Sequence, residues 1–271
     1  MVVLIFDTNS GLCNQFYDIL NGINFCVIHN IYFTFRYCAF RNNDLITWTE
    51  TSFEKLFDKT FLNSYPLYID YYSIKDKLTK DNCYNLTNKH LSYVIFKKIN
   101  ILDQIINLKK EYVVLKQFWS LYEMQKIIDN TIYTRIVPCT DIMEKYLEIK
   151  NILIKEEPYN FIHYRHEKDF TSFFKLTVDS LDTIIDKIKF KNPTLKLYIA
   201  TTSLTKLINI KDNKYKHLIY KNDDTLLNFN FEQRAFIDYM FGLHSVECYG
   251  HHNSSFSVMI NNIKNTSNYY A

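Results

Sequence analysis

The amino-acid sequence predicts an α/β protein with two lobes, in which parallel strands alternate with helices. Short, apolar, β-branched runs are followed by polar turn residues and then by stretches with helical periodicity. This alternation is typical of parallel sheets whose faces are covered by helices. The charged, proline-terminated residues 155–158 separate two such series and indicate a boundary. We therefore predict two Rossmann-like lobes facing one cleft, residues 1–155 and residues 156–271.

The first lobe opens with a β–loop–α–β unit. Residues 2–6 are a β-branched apolar run, residues 12–29 have a helical period, and residues 31–35 predict a second strand. The connecting loop contains Gly11, one of only 4 glycines in the chain. Backbone N–H groups at the start of a helix favour an anion, which makes this loop a candidate phosphate site. An ordinary βα loop is the alternative, and the residues of the loop alone favour it.

The remaining elements of the first lobe are less regular than those of the second. In the first lobe we predict a short capped helix at 52–57, an extended segment at 65–69, a loop at 81–90, a strand at 112–115, and helices at 95–108, 120–128 and 141–154. In the second lobe we predict strands at 159–164, 196–200, 217–220 and 246–248, and helices at 178–188, 204–208, 225–244 and 255–263.

Composition and charge exclude several classes of protein. Hydrophobic residues make up 47% of the chain, which is enough for a packed core and argues against disorder. The formal net charge is only +3, so the sequence does not indicate a dedicated nucleic-acid-binding protein. The 22 Tyr and 21 Phe accompany abundant Ile, Asn and Lys, as expected from an AT-rich genome. The aromatic content is therefore not taken as evidence for stacking on bases or sugars.

The cysteines and the N-terminus bear on the cellular compartment. The 6 cysteines are scattered without a C-x-x-C pair, which predicts free thiols in a reducing environment. The first residues lack the features of a signal peptide. No apolar run reaches the roughly 18–20 residues needed to span a bilayer. The sequence thus predicts a cytoplasmic protein without a transmembrane segment.

Residues 161–170 form the most informative segment, in which an apolar run is followed by several charged residues. Ligands of open α/β sheets bind outside the carboxyl ends of the strands, which is where the sequence places Arg165. A guanidinium suits a diphosphate because it binds oxyanions bidentately, whereas a surface ion pair with Glu167 or Asp169 is the alternative. His163 lies on the same side of the strand, either as a ligand of a sugar or phosphate or as a hydrogen-bonded core histidine.

Residues 249–257 form a second candidate site, because they follow a short strand and open a helix. Ser254 or Ser255 suits the N-cap position, and the N–H groups behind it could hold a phosphate. Capping alone is the alternative. The neighbouring His251 and His252 would point in opposite directions on an extended segment, and the sequence shows no third ligand, so we predict no metal site.

Several familiar motifs are absent from the sequence, among them G-x-G-x-x-G, the P-loop, H-E-x-x-H and G-x-S-x-G. There is also no D-x-D pair, which argues against sugar-nucleotide chemistry that depends on a carboxylate-bound metal. The charge of a bound nucleotide diphosphate would have to be met by arginine, helix N-termini and hydroxyl groups.

Three motifs, in order, resemble those of the O-fucosyltransferase group of GDP-fucose-dependent glycosyltransferases. Residues 10–15 (SGLCNQ) are similar to the family's G-G-L-x-N-Q loop, and residues 163–169 (HYRHEKD) to its H-L-R-F-E-K-D segment. The family's D-Y…S-D-x-F…S-S-F-S/T ending is similar to Asp238-Tyr239 followed by residues 245–247 (SVE) and 253–257 (NSSFS). The second motif is fairly specific, residues 53–58 (FEKLFD) add a weaker likeness, and residues from about 60 to 150 show none.

The resemblance implies a GT-B fold, in which GDP-fucose lies in the cleft and is held mainly by the C-terminal lobe. It also implies inverting, metal-independent transfer of fucose to a hydroxyl of a glycan or protein, with no cofactor besides the donor substrate. Arg165 would bind the β-phosphate and stabilise the departing GDP, and Asn14 would reach the donor near the sugar. The other donor-binding residues implied by the resemblance are Gly11, His163, Asp238, Ser254, Ser255 and Phe256.

The sequence also departs from the family pattern. His166 replaces an aromatic residue, Cys13 lies in the first motif, and Glu247 stands where many members have Asp. The sequence lacks the signal peptide and disulfide pattern of secretory members, as a cytoplasmic enzyme of viral or protist origin would. Asp7 is the one candidate general base near the first loop. Two alternatives stay open: a GT-B transferase for another nucleotide sugar, and a catalytically silent nucleotide-sugar-binding protein.

Overall fold

The computed structural model describes residues 1–42, 47–86, 101–118, 132–202, 218–221 and 226–271, and in two of its helices it leaves the side chains of residues 132–133 and 168–169 undescribed. The chain divides into two compact units. The first contains Met1–Thr140 and Asn230–Glu232, and the second contains Asp141–Phe229 and Gln233–Ala271. The division of the chain into an acceptor-side lobe and a nucleotide-binding lobe at residue 155 stays a prediction.

In its described part, the first unit contains a five-stranded sheet with the order β3-β2-β1-β5-β4. Its strands are β1 (Val3–Asp7), β2 (Tyr32–Arg41), β3 (Trp48–Ser52), β4 (Cys83–Leu86) and β5 (Tyr112–Lys116). The central strand β1 runs parallel to β2 and β5, β4 runs parallel to β5, and β3 is an antiparallel edge strand. Every residue of β1 is buried, which explains its continuous apolar run.

The helices of the first unit include the long crossover that connects β1 with β2. This helix, α1, spans Leu12–His29 and ends at Asn30, whose left-handed conformation is a common way to stop a helix. Gly22 lets α1 approach the sheet, because a Cβ there would lie 3.2 Å from the ring of Phe6. The other helical segments are α2 (Ile101–Asn107), α3 (Ile132–Arg135) and 3₁₀ turns at Phe53–Lys55, Lys59–Ser64, Tyr71–Ser73 and Lys75–Lys77.

In its described part, the second unit contains a four-stranded sheet with the order β8-β7-β6-β9, in which all pairs are parallel. Its strands are β6 (Tyr159–His163), β7 (Lys196–Ala200), β8 (Leu218–Ile219) and β9 (Cys248–Tyr249). The helices are α4 (Thr140–Leu153), α5 (Lys168–Phe174), α6 (Leu181–Lys187), α7 (Phe231–His244) and α8 (Ser255–Lys264). The helices α4 and α7 begin with residues of the first unit.

The core of the second unit is built by close packing of α7 and α8 against β6. A Cβ on Gly242 of α7 would lie 2.5 Å from the side chain of Ile260 of α8 and 3.3 Å from the ring of Phe161 of β6. The ring of Tyr198 stacks on Phe161 and on Phe241, with centroid distances of 5.8 and 4.1 Å. Glycine at position 242 thus fixes how closely α7 can lie on the sheet.

Most predicted elements are present with small changes at their ends, but several predictions were wrong. The predicted loop at 81–90 contains β4, the predicted helix at 52–57 is the end of β3 followed by a 3₁₀ turn, and α7 begins at Phe231 rather than at residue 225. The helix α5 was not predicted. The predicted helices at 120–128 and 204–208, and residues 95–100 of the helix predicted at 95–108, lie outside the described residues. In the described part of the chain, no helix is both long and apolar enough to cross a bilayer.

Candidate active site

Arg165, two residues beyond β6, is held by an ion pair with Glu167. Its Nε lies 3.2 Å from Oε2 of Glu167, and both side chains are largely buried, with 20% and 14% exposed. The guanidinium carbon also lies 5.5 Å from the centroid of the Phe170 ring. The alternative that the sequence left open, an ion pair with Glu167, is therefore present. It is a shielded contact that orients the guanidinium rather than a loose surface pair.

Glu167 stays ionised in this arrangement. Burial alone would raise its pKa, but the charge of Arg165 and a hydrogen bond from the hydroxyl of Thr202 bring the pKa below its usual value. Glu167 occupies the N-cap position of α5, yet its side chain forms no capping hydrogen bond. The carboxylate instead serves Arg165 and Thr202. The sequence did not predict a role for Thr202, because nothing in the residues around it connects it with Glu167.

Tyr270 fixes the backbone on both sides of Tyr164. Its hydroxyl donates to the carbonyl of His163 at 3.0 Å and accepts from the backbone N–H of Arg165 at 3.2 Å. Next to it, the backbone N–H of Tyr270 donates to the carbonyl of Gly250, also at 3.0 Å. One phenol thus ties the segment that carries Arg165 to the segment that precedes α8.

His163, the last residue of β6, joins the second motif to the third. Its Nδ1 lies 2.9 Å from Oγ of Ser257, and its ring lies 4.3 Å from the ring of Phe256, measured between centroids. Burial and the nearby charge of Arg165 lower the pKa of His163 to about 3. The imidazole is therefore neutral near pH 7, with one nitrogen that donates and one that accepts. The geometry matches a hydrogen-bonded core histidine whose ring borders the third motif.

The turn before α8 depends on Gly250. A Cβ at this position would lie 2.1 Å from Oγ and 2.4 Å from Cβ of Ser257, so the helix can approach the end of β9 only if residue 250 is glycine. Ser254 occupies the N-cap position, as predicted, but its hydroxyl forms no capping hydrogen bond. The first-turn N–H groups of α8 lack that intramolecular acceptor, and such groups favour an anion.

The rings of the two adjacent histidines stack on each other. The rings of His251 and His252 have centroids 4.8 Å apart, and Nδ1 of His251 accepts from the backbone N–H of Asn253 at 3.1 Å. Burial and the neighbouring His252 lower the pKa of His251. Within the described ranges, no cluster of three or more His, Cys, Asp or Glu side chains could hold a metal ion. The 6 cysteines all lie in the described part of the chain, and none of them forms a disulfide.

Asp238, on α7, lies in a buried charge cluster. One carboxylate oxygen accepts from the hydroxyl of Tyr198 at 2.8 Å, and the other accepts from the ammonium of Lys221. Tyr239, the next residue, places its ring 5.7 Å from that of Phe256. The two parts of the third motif thus lie together, but both oxygens of Asp238 already have protein donors. Lys221 and Tyr198 were missed in the sequence, where no spacing rule relates them to Asp238.

The loop of the first motif is held by Gln15. Its buried amide accepts from the hydroxyl of Thr8 and the N–H of Ala39, and donates to the carbonyls of Ser10 and Ala39, at 2.8 to 3.1 Å. The left-handed residue of the loop is Ser10 (φ 74°), whereas Gly11 has an ordinary φ of −59°. From the sequence, Gln15 was recognised only as a member of the first motif. The structure shows that it fastens the loop to β2.

Asn14 lies half-buried in the first turn of α1, where its backbone N–H donates to the carbonyl of Gly11 at 2.9 Å. Among the described residues, no group forms a hydrogen bond with its side-chain amide. This is compatible with the predicted contact to a donor. Gly11 and Asn14 belong to the first unit, and the other predicted site residues belong to the second.

Asp7, at the end of β1, forms a buried bidentate ion pair with Arg36. Its two oxygens accept from Nε at 2.9 Å and from Nη2 at 2.6 Å, and its side chain is only 2% exposed. Lys116 lies further away, at 3.9 Å. Burial raises the pKa of Asp7, and the hydrogen bond and charge of Arg36 partly offset this effect. The arrangement favours a structural role for Asp7 over that of a general base.

Comparisons with known proteins support the fold. No protein-family model and no curated protein sequence matches the chain. A crystal structure of POFUT1 in complex with GDP is similar, with a TM-score of 0.70 and 10% identity over 99% of this chain and 98% of that one. POFUT1 in complex with GDP-fucose gives 0.67 and 9% over 100% and 98%. The fucosyltransferase NodZ from Bradyrhizobium gives 0.61 and 11% over 96% and 92%.

These similarities extend over nearly the whole length of each protein, although identity is close to one residue in ten. They confirm the predicted α/β class and the GT-B fold that the motif resemblance implies. At this identity they establish the fold and leave the activity to be argued from the residues of this chain.

Proposed function

We propose that this chain is a glycosyltransferase that transfers fucose from GDP-fucose to a hydroxyl group of a glycan or protein. The proposal starts from a fold that the chain shares with fucosyltransferases. The observation that carries it is the contact of His163 with Ser257, which joins the second and third motifs at the carboxyl end of the inner strand β6. Ligands of open α/β sheets bind at this end of the strands.

The proposed role of Arg165 is to bind the β-phosphate and stabilise the departing GDP. Negative charge builds up on the diphosphate as the glycosidic bond breaks, so a fixed guanidinium stabilises the transition state more than the ground state. Removing one such preorganised donor typically costs about 3–4 kcal/mol of transition-state stabilisation. The ion pair with Glu167 supplies the fixed geometry that this role requires.

The proposed donor contacts also include residues at the start of α8 and in the first motif. Ser254, Ser255 and Phe256 at the start of α8 would contact the phosphates and the nucleoside, with His163 and Asp238 at the nucleotide end. From the first unit, Gly11 and Asn14 would contact the donor near the transferred sugar. We further propose that transfer inverts the anomeric centre and needs no metal, because arginine and helix N–H groups supply the positive charge.

Thermal unfolding with nucleotides, in the presence of EDTA, tests the donor class. We expect GDP and GDP-fucose to raise the melting temperature, and UDP, ADP and their sugar conjugates to leave it unchanged. Stabilisation by another nucleotide alone would favour a GT-B transferase for a different sugar. If no nucleotide has an effect, both enzyme hypotheses are wrong.

Release of GDP from GDP-fucose separates an enzyme from a silent binding protein. We expect the wild-type chain to release GDP when a suitable glycan or protein acceptor is added, and Arg165→Ala to abolish this release. Arg135→Ala, in the exposed turn of α3, is a matched control that also removes an arginine. GDP binding without any transfer across a panel of acceptors would favour the silent binding protein.

A further inference from the structure

Arg41, the last residue of β2, is held from several sides although it belongs to no motif. Its guanidinium carbon lies 4.9 Å from the ring centroid of Trp48 and 4.6 Å from that of Phe231. Its side chain is only 11% exposed. Stacking on two rings and loss of water restrict a guanidinium far more than a surface position would.

Glu232 fixes the same arginine at its backbone and at its side chain. One carboxylate oxygen accepts from the backbone N–H of Arg41 at 2.6 Å, and the other lies 3.6 Å from its Nε. Glu232 is fully buried, so its carboxylate depends on this cation for compensation. Because the carboxylate of Glu232 already contacts both the backbone and the side chain of Arg41, the pair suits a supporting role better than the capture of an anion.

The fixed guanidinium packs against Gly11. A Cβ on Gly11 would lie 3.3 Å from Nη2 of Arg41, which is tighter than an ordinary contact. The backbone of Gly11, with φ −59° and ψ 157°, is accessible to any residue. An alanine at position 11 would therefore be opposed by the Arg41 guanidinium and not by the backbone conformation, and it would require Nη2 to shift by a few tenths of an ångström.

Gly11 in turn begins the helical turn that presents Asn14. The carbonyl of Gly11 accepts from the backbone N–H of Asn14 at 2.9 Å and from that of Gln15 at 3.1 Å. Any displacement of Gly11 would therefore move the first turn of α1 and the amide of Asn14 with it. The contact of Arg41 with Gly11 therefore affects the position of Asn14, which the proposed function places at the donor.

We propose that Arg41 is a positioning residue, which packs against Gly11 and thereby holds Asn14 in its working orientation towards a nucleotide-sugar donor. This inference rests on the proposed function. It assigns to Glu232, Trp48 and Phe231 the task of keeping the Arg41 guanidinium in place.

The test is a double-mutant cycle that combines Arg41→Lys with Asn14→Ala. Arg41→Lys keeps a cation for Glu232 but removes Nη2, so we expect kcat to fall about tenfold to a hundredfold, as misplacement by about 1 Å can cause. We expect GDP affinity and the melting temperature to stay close to wild type. In the Asn14→Ala background, Arg41→Lys should have no further effect on kcat, because Arg41 acts through Asn14.

Gly11→Ala tests the contact from the other side and leaves the Arg41–Glu232 pair intact, which matters if Arg41→Lys does not fold. We expect Gly11→Ala to lower kcat in the wild-type background and to have a much smaller effect combined with Arg41→Lys, where the new Cβ has room.

If the wild-type chain transfers fucose and the kcat losses of the two substitutions simply multiply in each double variant, the inference is wrong and the proposed function still stands. A wild-type chain that neither binds GDP nor transfers fucose would overturn both.

Discussion

Nδ1 of His163 lies 2.9 Å from Oγ of Ser257, although 94 residues separate them in the chain. The contact connects the end of a buried strand with the first turn of α8 and so brings two sequence motifs into one place. It is possible only because Gly250 lets α8 approach, since any side chain at position 250 would collide with Ser257. The local geometry of this site is therefore set by a glycine as much as by the polar residues.

Gly250→Ala should destabilise the second unit. The added Cβ would lie 2.1 Å from Oγ and 2.4 Å from Cβ of Ser257, so α8 must move. Overpacking of this kind costs about 1–3 kcal/mol of unfolding free energy, which urea titration measures. Adding Ser257→Ala should not restore stability, because the Cβ of residue 257 remains in the way. A Gly250→Ala protein of wild-type stability would show that the helix can yield.

Arg165→Lys should impair transfer more than Glu167→Gln. Lysine keeps the charge but lacks the planar fork that binds a phosphate bidentately, so we expect kcat to fall about 10²–10³-fold. Glutamine at 167 keeps the shape and an acceptor for Thr202, and only the orientation of Arg165 should loosen. Steady-state release of GDP compares the two variants. Equal losses would contradict the assignment of Arg165 as ligand and Glu167 as its support.

Asp7→Asn should cost stability. The substitution breaks a buried pair and leaves Arg36 without its carboxylate, which costs about 3–5 kcal/mol when a pair is fully buried. Arg36→Met breaks the same pair from the other side, and the double variant should be less destabilised than the sum of the two. Urea unfolding of all three proteins gives the coupling energy. Wild-type stability of Asp7→Asn together with loss of transfer would instead indicate a catalytic base.

His163 should make the protein sensitive to acid. Its pKa is about 3 in the folded state and near 6.5 when unfolded, so the unfolded chain binds more protons between these values. Its stabilising contribution is complete above about pH 6.5 and is lost as the pH falls towards 3, by up to about 1.4 kcal/mol per pH unit. His163→Asn, which retains a hydrogen-bonding group near Ser257, should lose less stability between pH 7 and pH 5. If the stability of wild type and of His163→Asn falls equally steeply with pH, the pKa of His163 in the folded state is near its ordinary value.

Glu232 should have the opposite pH dependence. Burial raises its pKa to about 7, partly offset by Arg41, so the folded state holds a proton that the unfolded chain releases above about pH 4.5. The contribution of Glu232 to the free energy of unfolding is complete below about pH 4.5. It falls as the pH rises through 7, again by up to about 1.4 kcal/mol per pH unit. Glu232→Gln should flatten this decline relative to wild type. Unfolding curves at pH 5, 6, 7 and 8 measure it, and parallel curves would contradict the raised pKa.

The fold was predictable where burial leaves a continuous or periodic pattern. The strands β1 and β6 are buried along their whole length and are apolar runs, and α1 repeats its apolar positions over many turns. The strand β4 was missed because only its last residue, Leu86, is buried and it lies at the sheet edge. The helix α5 was missed because its first residues belong to the charged segment after β6, which was interpreted as a loop.

The candidate site was predictable only where residues are neighbours in sequence. His163 ends one strand, and Arg165 and Glu167 follow it at alternate positions, so the sequence places them together. The partners Thr202, Lys221 and Ser257 come from other elements, and their proximity depends on strand order, which the sequence did not specify. Arg41 next to Gly11 depends likewise on the pairing of β1 with β2.

The hydroxyl of Tyr270 forms hydrogen bonds with the backbone on both sides of Tyr164, at the carbonyl of His163 and at the N–H of Arg165. This makes Tyr270 a natural place for a spectroscopic reporter. A fluorine introduced on its ring would sense small shifts of the segment that carries Arg165 and leave the guanidinium chemically unaltered. Movement of that segment during nucleotide binding could then be followed in solution by fluorine NMR.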